Sequence, residues 1–239
     1  MRRVLVTGGG SGIGRAIARD FADAGEAVTI TGRRADALAE TDGGRGITQI
    51  VADVTKEADV AAVFEKPFDV VVANAGAGNT APVSKMRLED WNSTIAVNLT
   101  GAFLAFREAL QGMGQGGRLI AIASTASLQG GPNIAAYCAS KHGVLGLVRA
   151  LAKEVARKGI TCNAVCPGFV ETDMAEAAVQ GVMDRFGIDH DTAASRIVAG
   201  NPMRRMITPD EVVAAVRFLA SADATSVNGH ALSVSGGEI

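Results

Sequence analysis

The chain has 239 residues, a formal net charge of −2 and 48% hydrophobic content. That length and hydrophobicity suit a packed fold with a substantial core and exclude a disordered chain. No basic excess is available to neutralise a phosphate backbone, and no apolar run approaches the ~18–20 residues of a membrane span, so nucleic acid and membrane are not expected partners.

The elements follow in chain order. Val4–Thr7 reads as a strand and Ile13–Ala24 as a helix, then Val28–Thr31 as a strand and Ala35–Glu40 as a helix. Ile47–Ala52 and Val70–Ala73 are strands with a helix between them. Leu99–Leu110 is a helix, Arg118–Ala123 a strand, Ala135–Arg157 a long helix and Ile160–Val165 a strand. Glu211–Ala220 and His230–Val234 supply a last helix and strand. Alternation of apolar strands with longer helical patterns predicts a doubly wound parallel α/β sheet with helices on both faces. There is no repeat or linker, so 1–239 reads as one domain. Asp173–Asn201 breaks the rhythm and reads as a substrate lid, the alternative being a small surface helical hairpin.

Cys138, Cys162 and Cys166 make an odd count without disulfide-scaffold spacing. The chain enters a strand at Arg2-Arg3-Val4-Leu5-Val6, with no leader pattern, so a reducing, cytoplasmic setting is expected. No histidine cluster accompanies Cys162 and Cys166; they read as buried small side chains, and no metal is called for.

After the first strand comes Thr7-Gly8-Gly9-Gly10-Ser11-Gly12-Ile13-Gly14 and then a helix. Glycines let backbone approach a pyrophosphate, and the helix N-terminus offers free N–H groups to an anion. The spacing, Thr-Gly-x-x-x-Gly-x-Gly, differs from Gly-x-Gly-x-x-Gly. With Asp53-Val54, Asn74-Ala75-Gly76 and Pro167-Gly168-Phe169-Val170-Glu171-Thr172 in that order, it resembles the short-chain dehydrogenase/reductase family over nearly the whole chain. The resemblance implies a Rossmann-type sheet of about seven strands. It implies that Gly8, Ser11, Gly12, Ile13 and Gly14 hold the dinucleotide. Asp53 and Val54 would lie at the adenine. Asn74, Ala75 and Gly76 would form the wall between ribose and nicotinamide, and Pro167, Gly168, Val170 and Thr172 would sit at the carboxamide.

Tyr137 and Lys141 are four residues apart, so on a helix they share a face. An ammonium beside a phenol favours the phenolate, and a place in the first helical turn acts in the same direction. The expectation is a Tyr137 acid/base with a lowered pKa. Ser124, thirteen residues earlier at the end of the fifth strand, matches the family's catalytic serine. Asn98 matches its fourth member, which supports a water chain through the lysine. In this resemblance Ser124 orients the substrate oxygen, and Lys141 also binds the nicotinamide ribose.

Ser140–Gly146 and Gly159–Thr172 look like bacterial β-ketoacyl and aromatic-polyketide ketoreductases. The implied reaction is 3-oxoacyl thioester to 3-hydroxyacyl thioester. Alternatives are a 3-hydroxyacyl-CoA, hydroxybutyrate or sugar dehydrogenase, or a nucleotide-sensing regulator without chemistry. The substrate would be a small carbonyl or alcohol, including a CoA or carrier-protein thioester. The second strand ends at Gly32-Arg33-Arg34 with no carboxylate to repel a 2′-phosphate, and the arginines offer donors to one. NADP is therefore favoured, with NAD as the other candidate. The family suggests a homotetramer.

Overall fold

Seven parallel strands form one sheet in the order β3-β2-β1-β4-β5-β6-β7. The computed structural model describes all residues, Met1–Ile239. The strands are β1 (Arg3–Thr7), β2 (Ala27–Gly32), β3 (Thr48–Val51), β4 (Val70–Ala73), β5 (Arg118–Ile122), β6 (Thr161–Pro167) and β7 (Ala231–Val234). Side chains alternate across the sheet and both faces are covered. Val4, Val6, Val70, Val72, Ile120 and Ile122 belong to one core cluster. Leu5, Val71, Ala73, Leu119 and Ala121 belong to the other. This two-sided burial explains why β4 and β5 are continuous apolar runs rather than alternating ones.

Helices α1 (Gly12–Asp23) and α9 (Pro209–Ala220) cover the first face. Helices α5 (Gly101–Gly112) and α6 (Ala135–Val155) cover the second. α2 (Ala35–Asp42) and α3 (Glu57–Val63) complete the first half. α9 starts on Thr208, whose side chain accepts from the Glu211 N–H while Glu211 reaches back to the Thr208 N–H, with Pro209 in the first turn. That capping box fixes where the helix begins.

One expectation needs revision. The helix expected to start at Leu99 is the second part of a longer rod. α4 (Leu88–Ile95) runs through a π-helical turn, Ala96–Thr100, directly into α5. The extra residue in that turn shifts the hydrophobic phase, so the α-periodicity visible in the sequence begins only after it. The segment Asp173–Asn201 forms a helical hairpin, α7 (Asp173–Phe186) and α8 (His190–Ile197), turning at Gly187 in the left-handed region. Its base is closed by a parallel bridge between Val170 and Ile207. The Ile207 N–H donates to the Phe169 carbonyl at 2.8 Å and the Glu171 N–H to the Ile207 carbonyl at 3.0 Å.

Strand order reverses at β1, which pairs β2 on one side and β4 on the other. Connections leave this point in opposite directions, and the space beyond the C-terminal strand ends opens into a crevice.

Candidate active site

A cleft of about 1470 Å³ occupies that crevice. At its nucleotide end the Thr7 hydroxyl accepts from the Asn74 and Ala75 N–H groups at 3.0 and 3.1 Å. Asn74 Nδ2 donates to the Thr7 and Gly8 carbonyls at 3.0 and 3.1 Å. Arg15 Nη2 binds the Gly10 carbonyl at 2.7 Å and Thr41 Oγ1 binds that of Gly9 at 3.0 Å. The glycine loop's carbonyls at 8, 9 and 10 are thus tied to the protein. Ser11 caps α1 without a side-chain cap bond, so the first N–H groups of α1 face the cleft. This is a site for an anion.

The loop leaves no room for side chains. A Cβ at Gly14 would run into the Gly8 carbonyl and Asn74 Nδ2, and Gly12 sits at φ +49° against Thr172 Cγ2. Gly8, Ser11, Gly12 and Ile13 line the cleft, while Gly14 stands behind it and lets loop and β4 approach. Such a backbone cradle fits a dinucleotide pyrophosphate.

Arg33 and Arg34 also line the cleft at the end of β2, both exposed, without an ion pair. Asp53 turns its carboxylate back onto Thr55, accepting from its N–H and hydroxyl at 3.0 and 2.8 Å. The Thr55 N–H chiefly holds that carboxyl below its ordinary range, with the charge of Arg33 adding to it. Val54 lines the cleft and packs against Gly101 of α5. Ala75, Gly76, Pro167, Gly168, Val170 and Thr172 all reach the wall. Thr172 Oγ1 donates to the Val170 carbonyl at 3.1 Å.

At the catalytic end Ser124 follows β5 and Tyr137 lies in the first turn of α6, so the side chains converge. Lys141, one turn on, is buried, and its Nζ donates to the Ile122 carbonyl at 2.8 Å. It lies 5.6 Å from the centroid of the Tyr137 ring. The Tyr137 ring is packed by the loop after β4: a Cβ on Gly78 would stand 3.3 Å from its Cδ2.

The electrostatics correct the expected sign at Tyr137. Burial pushes the phenol above its ordinary value, and the neighbouring Ser124 hydroxyl only partly opposes this. Burial also brings Lys141 down to about 8, against a smaller opposite effect of Cys166. The ammonium is spent on Ile122 rather than aimed at the phenol, and lost hydration outweighs the attraction expected from a Tyr–Lys pair.

Asn98 sits in the middle of the π-helical turn, 2% exposed. Its Nδ2 donates to the Ala77 carbonyl at 2.8 Å and to Ser140 Oγ at 2.9 Å, and its Oδ1 accepts from the Ala77 N–H at 2.8 Å. It does not line the cleft but ties the loop after β4 to α6, which carries Tyr137 and Lys141. A Cβ on Gly76 would stand 3.4 Å from Asn98 Oδ1 and 3.7 Å from Lys141 Nζ, so glycine there leaves a gap between the two.

All the site residues named from the sequence meet in or directly behind this one cleft. Others joined it without a sequence signal, namely Gln129 from the segment after Ser124 and Glu238 from the C-terminal tail, while Phe169 and Met174 at the base of the hairpin come from stretches the sequence had marked.

The glycine cradle, Ser124, Tyr137 and Lys141 in one crevice agree with the comparisons. A family model described as enoyl-(acyl carrier protein) reductase matches residues 8–238. The chain belongs to the short-chain dehydrogenase/reductase family. Among the family's members it is 39% identical over 250 residues to a Streptomyces coelicolor protein provisionally named a ketoacyl reductase, covering 98% of this chain and 95% of that one. It is 36% identical to a 3-oxoacyl-[acyl-carrier-protein] reductase of Mycobacterium tuberculosis, over 99% of this chain and 92% of the relative. Its fold matches a crystal structure of an actinorhodin polyketide ketoreductase variant with NADPH at a TM-score of 0.92 and 38% identity, covering 99% and 97% of the two chains. This short-chain dehydrogenase/reductase is therefore an oxidoreductase.

Proposed function

We propose that the chain is an NADPH-dependent reductase of 3-oxoacyl thioesters. The observation that carries the chemistry is the meeting of Ser124, Tyr137 and Lys141 beside the glycine cradle. The relatives named as ketoacyl and 3-oxoacyl-carrier-protein reductases support the substrate class, and the NADPH of the structural relative supports the cofactor.

When bound, the reduced dinucleotide supplies a hydride to the substrate carbonyl carbon. Gly8, Ser11, Gly12 and Ile13 hold its pyrophosphate, Arg33 and Arg34 a 2′-phosphate, and Asp53, Val54, Asn74, Ala75 and Gly76 line the adenosine side. Pro167, Gly168, Val170 and Thr172 hold the nicotinamide end, and Lys141 the ribose. Ser124 donates a hydrogen bond to the carbonyl oxygen and polarises it. Tyr137 gives its proton to that oxygen as charge develops there. Burial, which raises the phenol, makes Tyr137 a weaker acid in the empty cleft, so the Ser124 hydroxyl beside it acts in the direction the proton transfer needs. Asn98 holds the ground on which α6 meets the loop after β4.

The chain works as one unit, with the α7–α8 hairpin as the lid over the acyl part. Asp173, Met174 and Ala177 turn from α7 into the cleft and support this role. The small residues along α5 and α6 suit close packing in a homotetramer, and the setting is the cytoplasm.

The test is loss of reduced-nicotinamide absorbance with a panel of 3-oxoacyl thioesters, simple ketones and sugars. A thioester should give the highest kcat/KM. Tyr137→Phe should lower kcat by about 10²–10⁴ while cofactor affinity stays within about twofold. A free sugar as the best substrate, or near-wild-type turnover of Tyr137→Phe, overturns the reading.

A further inference from the structure

The tail beyond β7 bends through two left-handed glycines, Gly236 at φ +63° and Gly237 at φ +89°. A side chain at Gly236 would collide with buried Asn201, and one at Gly237 would stand 3.3 Å from Pro202. The tail is thus pressed against the exit of the α7–α8 hairpin, and the bend delivers Glu238 to the wall of the cleft. There Gln129 Nε2 donates to Glu238 Oε1 at 2.7 Å. Gln129 follows Ser124 on the same short segment, and its N–H is anchored on the Thr125 carbonyl at 3.1 Å. The second carboxylate oxygen, Oε2, has no protein donor and lies 3.2 Å from where a Cβ on Gly168 would be.

The charges around the cleft are unevenly divided. Arg33 and Arg34 are at the β2 end, with Asp53. Lys141 is committed to Ile122. The remaining charged side chains on the wall are Asp90, Asp173 and Glu238, all carboxylates. No arginine, histidine or further lysine lines the substrate side to pair with an anionic substrate. A carboxylate brought into this half would meet like charge, most directly at Glu238, because Asp90 lies 3.8 Å from Arg87 and Asp173 is exposed to screening water. The hydrogen bond from Gln129 holds Glu238 half-buried at the wall of the cleft.

We propose that Glu238 is a specificity-determining residue that disfavours anionic 3-oxo acids and admits neutral 3-oxoacyl chains. The proposal rests on the reductase reading above and adds a residue that enforces it. Oε2 remains available to accept a hydrogen bond from a hydroxyl or amide N–H on a neutral substrate, which a thioester arm or a polyhydroxylated chain provides.

The experiment compares acetoacetate with methyl acetoacetate, two substrates of similar size that differ by one charge, in wild type, Glu238→Gln and Glu238→Lys. Wild type should favour the neutral ester by about tenfold or more in kcat/KM, and rising salt should narrow that ratio. Glu238→Gln keeps a partner for Gln129 but removes the charge. It should shrink the ratio about three- to tenfold through a lower KM for acetoacetate, with little salt dependence left. Glu238→Lys should shrink it further. If both substrates lose activity in parallel in the two variants and the ratio is unchanged, Glu238 is a clamp and not a selector, and the proposal falls. A ratio in wild type that already favours acetoacetate overturns it too. Failure of wild type to reduce either substrate, or any thioester, with either cofactor would instead sink the reductase reading.

Discussion

Arg33 offers the sharpest test of cofactor choice. Its guanidinium is exposed at the rim of the cleft and has no ion pair in the protein, so a 2′-phosphate would not have to displace a partner. A hydrogen bond to a charged group is worth about 1.5–3 kcal/mol net. Solvent around Arg33 screens part of this, leaving about 1–2 kcal/mol, or roughly five- to thirtyfold in kcat/KM. Arg33→Ala should therefore lower kcat/KM for NADPH by about tenfold and leave that for NADH within about twofold. Added salt should erode the wild-type preference. The neighbouring position gives the converse experiment. A Cβ on Gly32 would stand 3.4 Å from Leu38 Cδ2, an ordinary contact, so Gly32→Asp fits without moving β2. Combined with Arg33→Ile it should reverse the preference toward NADH, because its carboxylate would accept from ribose hydroxyls and repel the phosphate. Steady-state kinetics with both cofactors decide the matter. A wild-type NADPH/NADH ratio below one, or an equal loss with both cofactors in Arg33→Ala, refutes the reasoning.

Two further outcomes follow from packing and burial. In Gly14→Ala the new methyl would overlap the Gly8 carbonyl and Asn74 Nδ2, so the loop must shift. A cost of about 1–3 kcal/mol in stability and a loss of NADPH affinity of tenfold or more are expected, read by thermal melting and cofactor fluorescence; affinity within twofold of wild type would contradict the cradle. Lys141 has a folded pKa near 8 against an ordinary 10.5, so between those values the unfolded chain binds more protons and stability rises with pH. Below pH 8 the full cost of the buried ammonium remains. Lys141→Met removes that cost but leaves the Ile122 carbonyl without its donor, so the net gain at neutral pH should be about 1–2 kcal/mol and should shrink toward pH 10. A difference in melting temperature that stays constant from about pH 7 to pH 10 would rule out the burial argument.

Features written in short stretches of chain were legible before the fold was known. The glycine loop, the Tyr137–Lys141 spacing and the apolar strands depend on local geometry, and each lies where the sequence placed it. What escaped depends on contacts between distant segments. The π-helical turn at Asn98 hides because one extra residue breaks the periodicity used to find helices. Gln129 and Glu238 are 109 positions apart, and nothing in either local sequence announces their meeting. The Tyr137 expectation failed for a related reason: residue spacing reports which charges are neighbours but not how much water they lose. The break in the α/β rhythm at Asp173–Asn201 coincides with the α7–α8 hairpin, whose two helices the strand–helix alternation does not register.

The bridge between Val170 and Ile207 has an evolutionary consequence. It brings together the two ends of the chain segment that carries the α7–α8 hairpin, so everything between them is topologically an insertion. For a flexible loop, each doubling of length costs only about 0.6 kcal/mol in closure entropy. With its ends held by the bridge, the α7–α8 hairpin could be lengthened, shortened or exchanged for another without disturbing the register of any strand. Under the lid role proposed above, replacing this cassette would change the substrate range and leave Ser124, Tyr137 and Lys141 where they are.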